Sequence, residues 1–485
     1  MSGNIVKDKD TLDKIINYDY VQEGNIRFTS IILLTYNQLD YTKLCIESIR
    51  KFTPKGQYEI IVVDNNSNDG TVEYLKAQED LRVIYNDYNA GFPKGCNQGI
   101  EISKGESILL LNNDTIVTPN WLNNLDSVLY SSDDIGVVGP ISNSCSNGQA
   151  INVIYNNIDE MIDFANLISS HYSNYEHELK QYLVGYCYLV KKSVIDKVGL
   201  LDERFSPGNF EDNDLSLRIL LEGYKLLLCK HVFIHHFGST SFRSNMQSYI
   251  NVLNSNKNKF DDKWGKEVLY GSLVRSDIVN LFNKDKNESI NVLDVGCGTG
   301  ATLLYIKNLY KNANLYGIEI GKISSKIANA YANVINEDIE QVNLQLQYEE
   351  NFFDYIILGD ILEHLENPWK LLKNLKLYLK KDGYILASIP NIMHISVIRE
   401  IINGSFTYQE AGILDKTHLR FFTLSEIYKL FDTANLQVEG AYHLQYYIPN
   451  PEEENLIQKL CEITSEENRM QYLSVQYIVK ARLKG

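Results

Sequence analysis

The stretch SILLLNNDTIVT, residues 107–118, decides how the first half of the chain is read. Its apolar run Ile108 to Leu111 is too short for an ordinary helix and is closed by Asn112, Asn113 and Asp114. That pattern predicts a buried strand ending in a polar edge. Ligands in open α/β sheets sit at the carboxyl ends of the strands. An oxygen-rich tripeptide there suits a hard divalent cation, which neutralises a departing diphosphate. Taken alone, the tripeptide is more readily a turn, because Asn and Asp bond their own backbone and tolerate left-handed conformations.

The neighbouring segments shift that balance. TSIILL, residues 29–34, reads as a first strand running into Thr35, Tyr36 and Asn37, and residues 40–52 follow with helical spacing at Leu44, Cys45, Ile49 and Phe52. YEIIVV, residues 58–63, reads as a second strand closed by Asp64 and the polar run to Thr71. Alternating strand and helix predict βαβ units and a parallel sheet. NAGFPKGCNQG, residues 89–99, brings glycines that permit close backbone approach and Lys94, which is able to meet a phosphate; a plain Gly/Pro turn reads equally well. Further on, YLVGYCYLVK (182–191) reads as a strand, NFEDNDLSLR (209–218) as an acidic helix start, and HVFIHHFGSTS (231–241) as a histidine-bearing strand end. Asp214 and Arg218 are spaced as a helical ion pair.

Composition bounds the rest. At 485 residues the chain exceeds what one core organises, so at least two domains are expected. A net charge of -16 argues against broad nucleic-acid binding or adsorption to anionic lipid. The 7 cysteines show neither CxxC pairs nor zinc spacing, which is reduced-compartment usage. No apolar run reaches the roughly 18 residues of a membrane span, and the first residues lack a signal-peptide core, so a cytoplasmic location is expected.

TSIILLTYN, VVDNNSNDGT, NAGFPKGCNQGI and LLLNNDTIVTPNWL, in this order and spacing, resemble the family 2 glycosyltransferases of the GT-A fold, in a rhamnosyltransferase-like branch, over residues 29–242. The resemblance implies that Thr35, Asn37 and Asp64 contact the donor nucleoside and that Asp114 holds the diphosphate's metal. It places Gly91, Lys94, Asn97, Asn112, Asn113 and Glu211 at the substrate and His235 near the cation, with His236 as substitute. The family's acidic pair matches Glu211-Asp212, and Asp212 is the expected base that takes the acceptor proton. The family motif commonly supplies two aspartates where this chain has Asn112 and Asn113 before Asp114. Fewer anionic ligands mean weaker metal binding.

NVLDVGCGTG, residues 291–300, reads as a buried strand turning through Gly296, Gly298 and Gly300 into a helix whose amino terminus favours negative charge. LYGIEI ends on Glu319, 19 residues past Gly300 (319 − 300), where a ribose-binding carboxylate belongs. VINEDI ends on Asp338, and residues 353–358 are a fourth strand followed by Gly359, Asp360 and His364. These features resemble the class I S-adenosylmethionine-dependent methyltransferases over residues 290–483. The resemblance implies a cofactor site of Gly296, Gly298, Gly300, Glu319, Asp338 and Asp360, with His364 as candidate base and His394, Asp415, His418 and Arg420 lining an acceptor pocket. A helix is expected from Pro368 through Leu379 to Gly383, a capping box at Thr423 to Glu426, and a closing strand at residues 474–481.

The expected protein is therefore α/β with two Rossmann-like domains. Its parts are an extension (1–27), a GT-A domain (28–245), a helical linker (246–288) and a methyltransferase domain (289–485). The expected activity is inverting transfer of a sugar such as rhamnose from a dTDP- or UDP-linked donor, with Mn²⁺ or Mg²⁺, to a glycan or glycoprotein acceptor such as a bacterial surface glycan or flagellin. S-adenosylmethionine-dependent O-methylation of the sugar would follow. The alternative is a methyltransferase carrying a glycan-binding GT-A module without turnover. No nucleic-acid partner is expected.

Overall fold

A computed structural model describes residues 5–22, 24–171, 177–238, 246–444 and 447–485. The start of the extension, residues 1–4, and the end of the histidine-bearing motif, residues 239–241, lie outside the described residues. The chain forms two compact units, Met1–Gly265 and Lys266–Gly485. Among the described residues no helix is long and apolar enough to cross a membrane.

In the first unit, strands β1 (Thr29–Thr35), β2 (Tyr58–Asp64), β3 (Leu81–Tyr85) and β4 (Ser107–Asn112) pair in parallel in the order β3-β2-β1-β4. Their near-continuous Ile, Leu and Val runs are what a sheet covered on both faces requires. The sheet continues through β5 (Thr115–Ile116), β6 (Ile135–Ser142), β7 (His177–Lys180), β8 (Cys187–Lys191) and β9 (Lys225–His236) in the order β4-β8-β6-β9-β5, with β7 also on β9. Here β8 runs antiparallel to β4 and to β6. The strand expected over 182–191 begins only at Cys187, because Gly185 and Tyr186 form a turn whose backbone serves neighbouring loops.

The helix Met246–Trp264 belongs to this unit, so the stretch 246–288 divides at Gly265. Its Asn256 amide donates to the carbonyls of Phe205 and Gly208 at 2.6 and 2.8 Å. Asp214, fully buried, accepts from Trp264 Nε1 at 2.9 Å and pairs with Lys263 at 2.5 Å and Arg218 at 2.9 Å. Removing one partner of a buried pair leaves the other charges uncompensated. Asp214→Ala is therefore expected to destabilise the first unit by roughly 3–5 kcal/mol, read as a lower denaturation midpoint for that unit with the second unit's transition unmoved.

In the second unit, β10 (Asn291–Val295), β11 (Asn314–Ile318), β12 (Asn333–Ile335), β13 (Phe353–Gly359), β14 (Leu379–Pro390), β15 (Leu436–Leu444) and β16 (Gln476–Leu483) form one sheet, ordered β12-β11-β10-β13-β14-β16-β15. The first five are parallel, and β16 runs antiparallel between β14 and β15. The Thr423 side chain caps the helix Leu424–Thr433 by accepting from Glu426 N. The helix expected to run to Gly383 stops at Leu375, and after a short 3-10 turn Leu379 begins β14. Leu379 keeps its place in the core by pairing with Phe353 rather than by helical spacing.

Candidate functional sites at the two sheet edges

At the carboxyl edge of the first sheet, Thr35 and Asp64 stand side by side in the β1–β2 register. The Thr35 hydroxyl meets Asp64 Oδ1 at 3.0 Å, and Asp64 Oδ2 accepts from Ser67 N at 3.0 Å. Asn37, in the left-handed region at φ 58°, donates its N–H to Ser67 Oγ and accepts from Asn68 N through its side chain. These three predicted residues thus form one connected loop pair.

Asn112 ends β4 and donates its backbone N–H to the carbonyl of Tyr186 at 2.8 Å. Beside it, Gly185 N donates to Asp212 Oδ2 at 2.9 Å. The Tyr186 ring stacks on His236 at 5.2 Å, and His236 Nε2 lies 3.2 Å from Asp114 Oδ1. One two-residue turn therefore connects the β4 tip and the Asp114–His236 pair to the carboxylate of Asp212. Tyr186 is the residue that sequence reasoning missed; its only signal was its place inside the run taken as strand.

His235 does not take the expected place. Successive strand residues face opposite ways, so His235 turns its Nδ1 to the Tyr155 hydroxyl at 2.7 Å, with its ring against Tyr155 and Phe237. Burial, with a smaller contribution from His236, lowers its pKa to about 3. His236, by contrast, has its Nδ1 2.7 Å from the Ser144 carbonyl, and its Nε2, near Asp114, makes no aligned hydrogen bond. Burial opposes its charging, but the Asp114 carboxylate outweighs that and raises its pKa. A carboxylate facing the Nε2 of an imidazole is a donor set that fits a divalent cation once that nitrogen is deprotonated.

The Glu211-Asp212 pair opens the helix Glu211–Leu221 after Asn209 and Phe210, both in the left-handed region. Burial, then the neighbouring Asp212, pushes the Glu211 carboxyl well up, and its Oε2 has no partner. Burial also raises Asp212, while N–H donors from Gly185 and Asn213 oppose that rise. Both carboxyls of the pair are thus held above the ordinary carboxylate range, Glu211 well above it.

Three substrate expectations in the 89–99 loop meet other partners. Asn97, buried, spends its amide on Leu201 O at 2.9 Å, Glu203 Oε1 at 3.1 Å and Leu201 N at 3.0 Å, so it clamps a loop instead of facing a ligand. Gly91, at φ 82°, is required by the chain itself, since an added Cβ would lie 2.7 Å from Ser206 Oγ and 3.0 Å from Pro207 Cα. Lys94 donates to the Tyr88 hydroxyl at 2.9 Å. Asn113 donates to Thr42 Oγ1 at 3.0 Å.

At the second sheet's carboxyl edge, Gly296, Gly298 and Gly300 all take positive φ between β10 and the helix Ala301–Leu309. Glu319, just past β11, accepts from Gly298 N at 2.8 Å and from Gly321 N at 2.7 Å, so the predicted acid sits on the glycine turn. Below them Asp294 is buried. Burial and the Glu319 charge, against the Arg275 guanidinium, raise its pKa to about 8. Asp338 closes its own turn by accepting from Glu340 N and Gln341 Nε2.

Asp360 is not available to a cofactor as expected. Its carboxylate is taken by Arg275, Ser388 and Gln476, which tie β13, β14 and β16 to the segment preceding β10. The sequence places that segment in a linker, yet Gly271 O accepts from Thr299 N and Oγ1, which sets it directly on the glycine turn. His364 follows β13 in a short 3-10 turn, with Nδ1 3.3 Å from the Thr417 carbonyl. Burial and the neighbouring His418 lower its pKa, so the imidazole is neutral. His394 caps the helix Ile395–Ile402 through Ser396, and Arg420 donates to Glu366 O and Leu419 O rather than to Asp415.

Comparison with known proteins divides the chain in the same way. Residues 30–199 match the model of glycosyl transferase family 2, and residues 270–440 match that of a methyltransferase domain. The glycosyltransferase AglE of Haloferax volcanii is 33% identical over 104 residues, 20% of this chain and 34% of that protein. The glycosyltransferase GlyG of Streptococcus pneumoniae is 23% identical over 248 residues, 50% of this chain and 76% of that protein. The ubiquinone biosynthesis O-methyltransferase of Rickettsia bellii is 25% identical over 193 residues, 38% of this chain and 80% of that protein. The chain thus joins a glycosyl transferase family 2 domain of GT-A type to a class I methyltransferase domain.

Proposed function

We propose that the first unit transfers a sugar, with inversion, from a dTDP- or UDP-linked donor to a glycan or glycoprotein acceptor, and that the second O-methylates the product. Rhamnose is the sugar we favour, and a bacterial surface or flagellin glycan the destination. The observation that carries this is the turn Gly185-Tyr186, which connects Asp212 to the Asp114–His236 pair. A divalent cation bound by Asp114 and His236 would neutralise the departing diphosphate. Thr35, Asn37 and Asp64 would hold the nucleoside. Asp212 would take the acceptor's proton while Glu211 stays protonated beside it.

For the second unit we propose that the Gly296–Gly300 turn, Glu319 and Asp338 hold S-adenosylmethionine, which supplies the methyl group. His364 would meet the acceptor hydroxyl, its neutral imidazole able to accept a proton or to ligate a cation. Support comes from the Glu319 carboxylate resting on the Gly298 amide. A second reading, a first unit that only binds glycan, is favoured by the single carboxylate in Asn112-Asn113-Asp114. Incubation with nucleotide sugars and Mn²⁺ or Mg²⁺ separates the two. Donor hydrolysis or transfer that falls on the order of 10²-fold in Asp114→Ala, the loss of several kcal/mol of charge stabilisation, supports catalysis. Donor binding without turnover supports the binding module.

A further inference from the structure

We propose that Glu363, His364 and His418 form a binding site for a first-row divalent cation, of which zinc is the best fit, with one coordination position open. Their ligand atoms lie within 4.8 Å of one another, the one such group among the described residues. Glu363 is 1% exposed, and neither of its carboxylate oxygens has a hydrogen-bond partner. A buried carboxylate without donors is costly unless something positive faces it.

Both imidazoles are oriented for ligation. His364 Nδ1 faces the Thr417 hydroxyl oxygen at 3.2 Å, whose own proton goes to Asp415 Oδ1, and the Thr417 carbonyl at 3.3 Å, and His418 Nδ1 faces the Ile413 carbonyl at 3.0 Å. A backbone carbonyl opposite Nδ1 fixes the tautomer with hydrogen on Nδ1 and leaves Nε2 as the ligand atom, the usual outer-shell arrangement of metal-binding histidines. The rings stand 4.8 Å apart, 75° from parallel. The loop bearing His418 is pinned to the same residue that supplies the carboxylate, because the Glu363 carbonyl accepts from Leu419 N at 2.8 Å and Arg420 N at 3.0 Å. Two nitrogens and one carboxylate oxygen suit zinc and its neighbours better than magnesium, and three protein ligands leave a fourth position for water or a hydroxyl.

The site lies just past the tip of β13, which pairs with β10, and an added Cβ on Gly296 would touch Ile361 Cδ1 at 2.9 Å. It therefore sits beside the glycine turn. If the second unit methylates a hydroxyl as proposed above, the open position would receive that hydroxyl and His364 would act through the cation. Metal binding itself is measured without cofactor or acceptor, so its failure is distinct from failure of the methyl-transfer reading.

The test uses the full chain carrying Asp114→Ala, which removes the first unit's proposed cation site, stripped with chelator and titrated with Zn²⁺ by calorimetry and with Co²⁺ by absorption. One equivalent per chain is expected, with tetrahedral cobalt bands. His418→Ala and Glu363→Gln are each expected to weaken Zn²⁺ binding by more than the roughly 10–100-fold that loss of an outer-shell partner costs. His418→Ala should retain S-adenosylhomocysteine binding, which shows that the unit is folded. An Asp114→Ala chain that takes up no more Zn²⁺ than the variants made in it, or cobalt bands that survive both substitutions, would overturn the proposal.

Discussion

Replacing Asp212 with Asn is expected to lower sugar transfer by roughly 10²–10⁴-fold, the usual worth of a positioned general base, while methyl transfer stays as it was. The amide keeps the shape of the side chain and can still accept from Gly185 N, which holds the carboxylate at 2.9 Å. What it loses is the ability to take a proton. The pH profile carries a second readout. Burial raises the Asp212 pKa, and a base works only when deprotonated. The acid limb of wild-type activity should therefore lie above the ordinary carboxylate range, and activity should fall as pH drops through it. Residual turnover in Asp212→Asn should lack that limb. An unchanged rate, or an unchanged limb, would remove Asp212 from the role. Glu211→Gln should leave the limb in place, since a protonated Glu211 is already uncharged beside Asp212.

The second large effect belongs to Gly298→Asp, which is expected to abolish S-adenosylhomocysteine binding and lower methyl transfer by more than about 10²-fold, the cost of even modest misplacement of reacting groups. Gly298 takes φ 54°, and an added Cβ would lie 2.6 Å from Gly271 Cα and 3.0 Å from its carbonyl oxygen. Those are backbone atoms and cannot swing aside. The new carboxylate would also join Glu319, which accepts from Gly298 N, and buried Asp294 in one small volume. Calorimetric titration with S-adenosylhomocysteine, together with a second-unit melting transition that is still present, checks this. Sugar transfer should continue. Mixing Gly298→Asp with Asp212→Asn as separate molecules then measures what sharing one chain contributes. Linked sites raise the effective concentration of the intermediate, so the mixture should fall behind wild type at low enzyme concentration. Equality at every concentration would mean that the two steps are not coupled.

Much of the architecture is written locally. The runs TSIILL, YEIIVV and SILLL could only be strands buried on both faces, and each ends on polar residues because the chain must leave the sheet there. The same holds for VLDVGCGTG, where alternate positive-φ glycines and a following helix are a local necessity. Cap chemistry at Asn367, Thr423 and Asn450 is equally local, because an N-cap bonds within three residues of itself.

Side-chain partners across the fold were a different matter. That Asn97 clamps Leu201, that Asp360 meets Arg275 and Gln476, and that the Gly185-Tyr186 turn bridges Asp114's histidine to Asp212 depend on residues 27 to 116 positions apart, whose approach no local pattern records. The choice between His235 and His236 turned on which face of β9 looks toward the β4 tip. Adjacent strand residues are indistinguishable in composition, and only the pairing of Thr115 with His236 sets that phase. The sequence by itself determined two α/β units, their strand tips and the residue types available there, because hydrophobic period and backbone conformation are properties of neighbours along the chain. Tertiary structure alone decided which of those residues face one another, because hydrogen-bond and ligand geometry depend on distances of about 3 Å between segments that the chain joins only through the completed sheet.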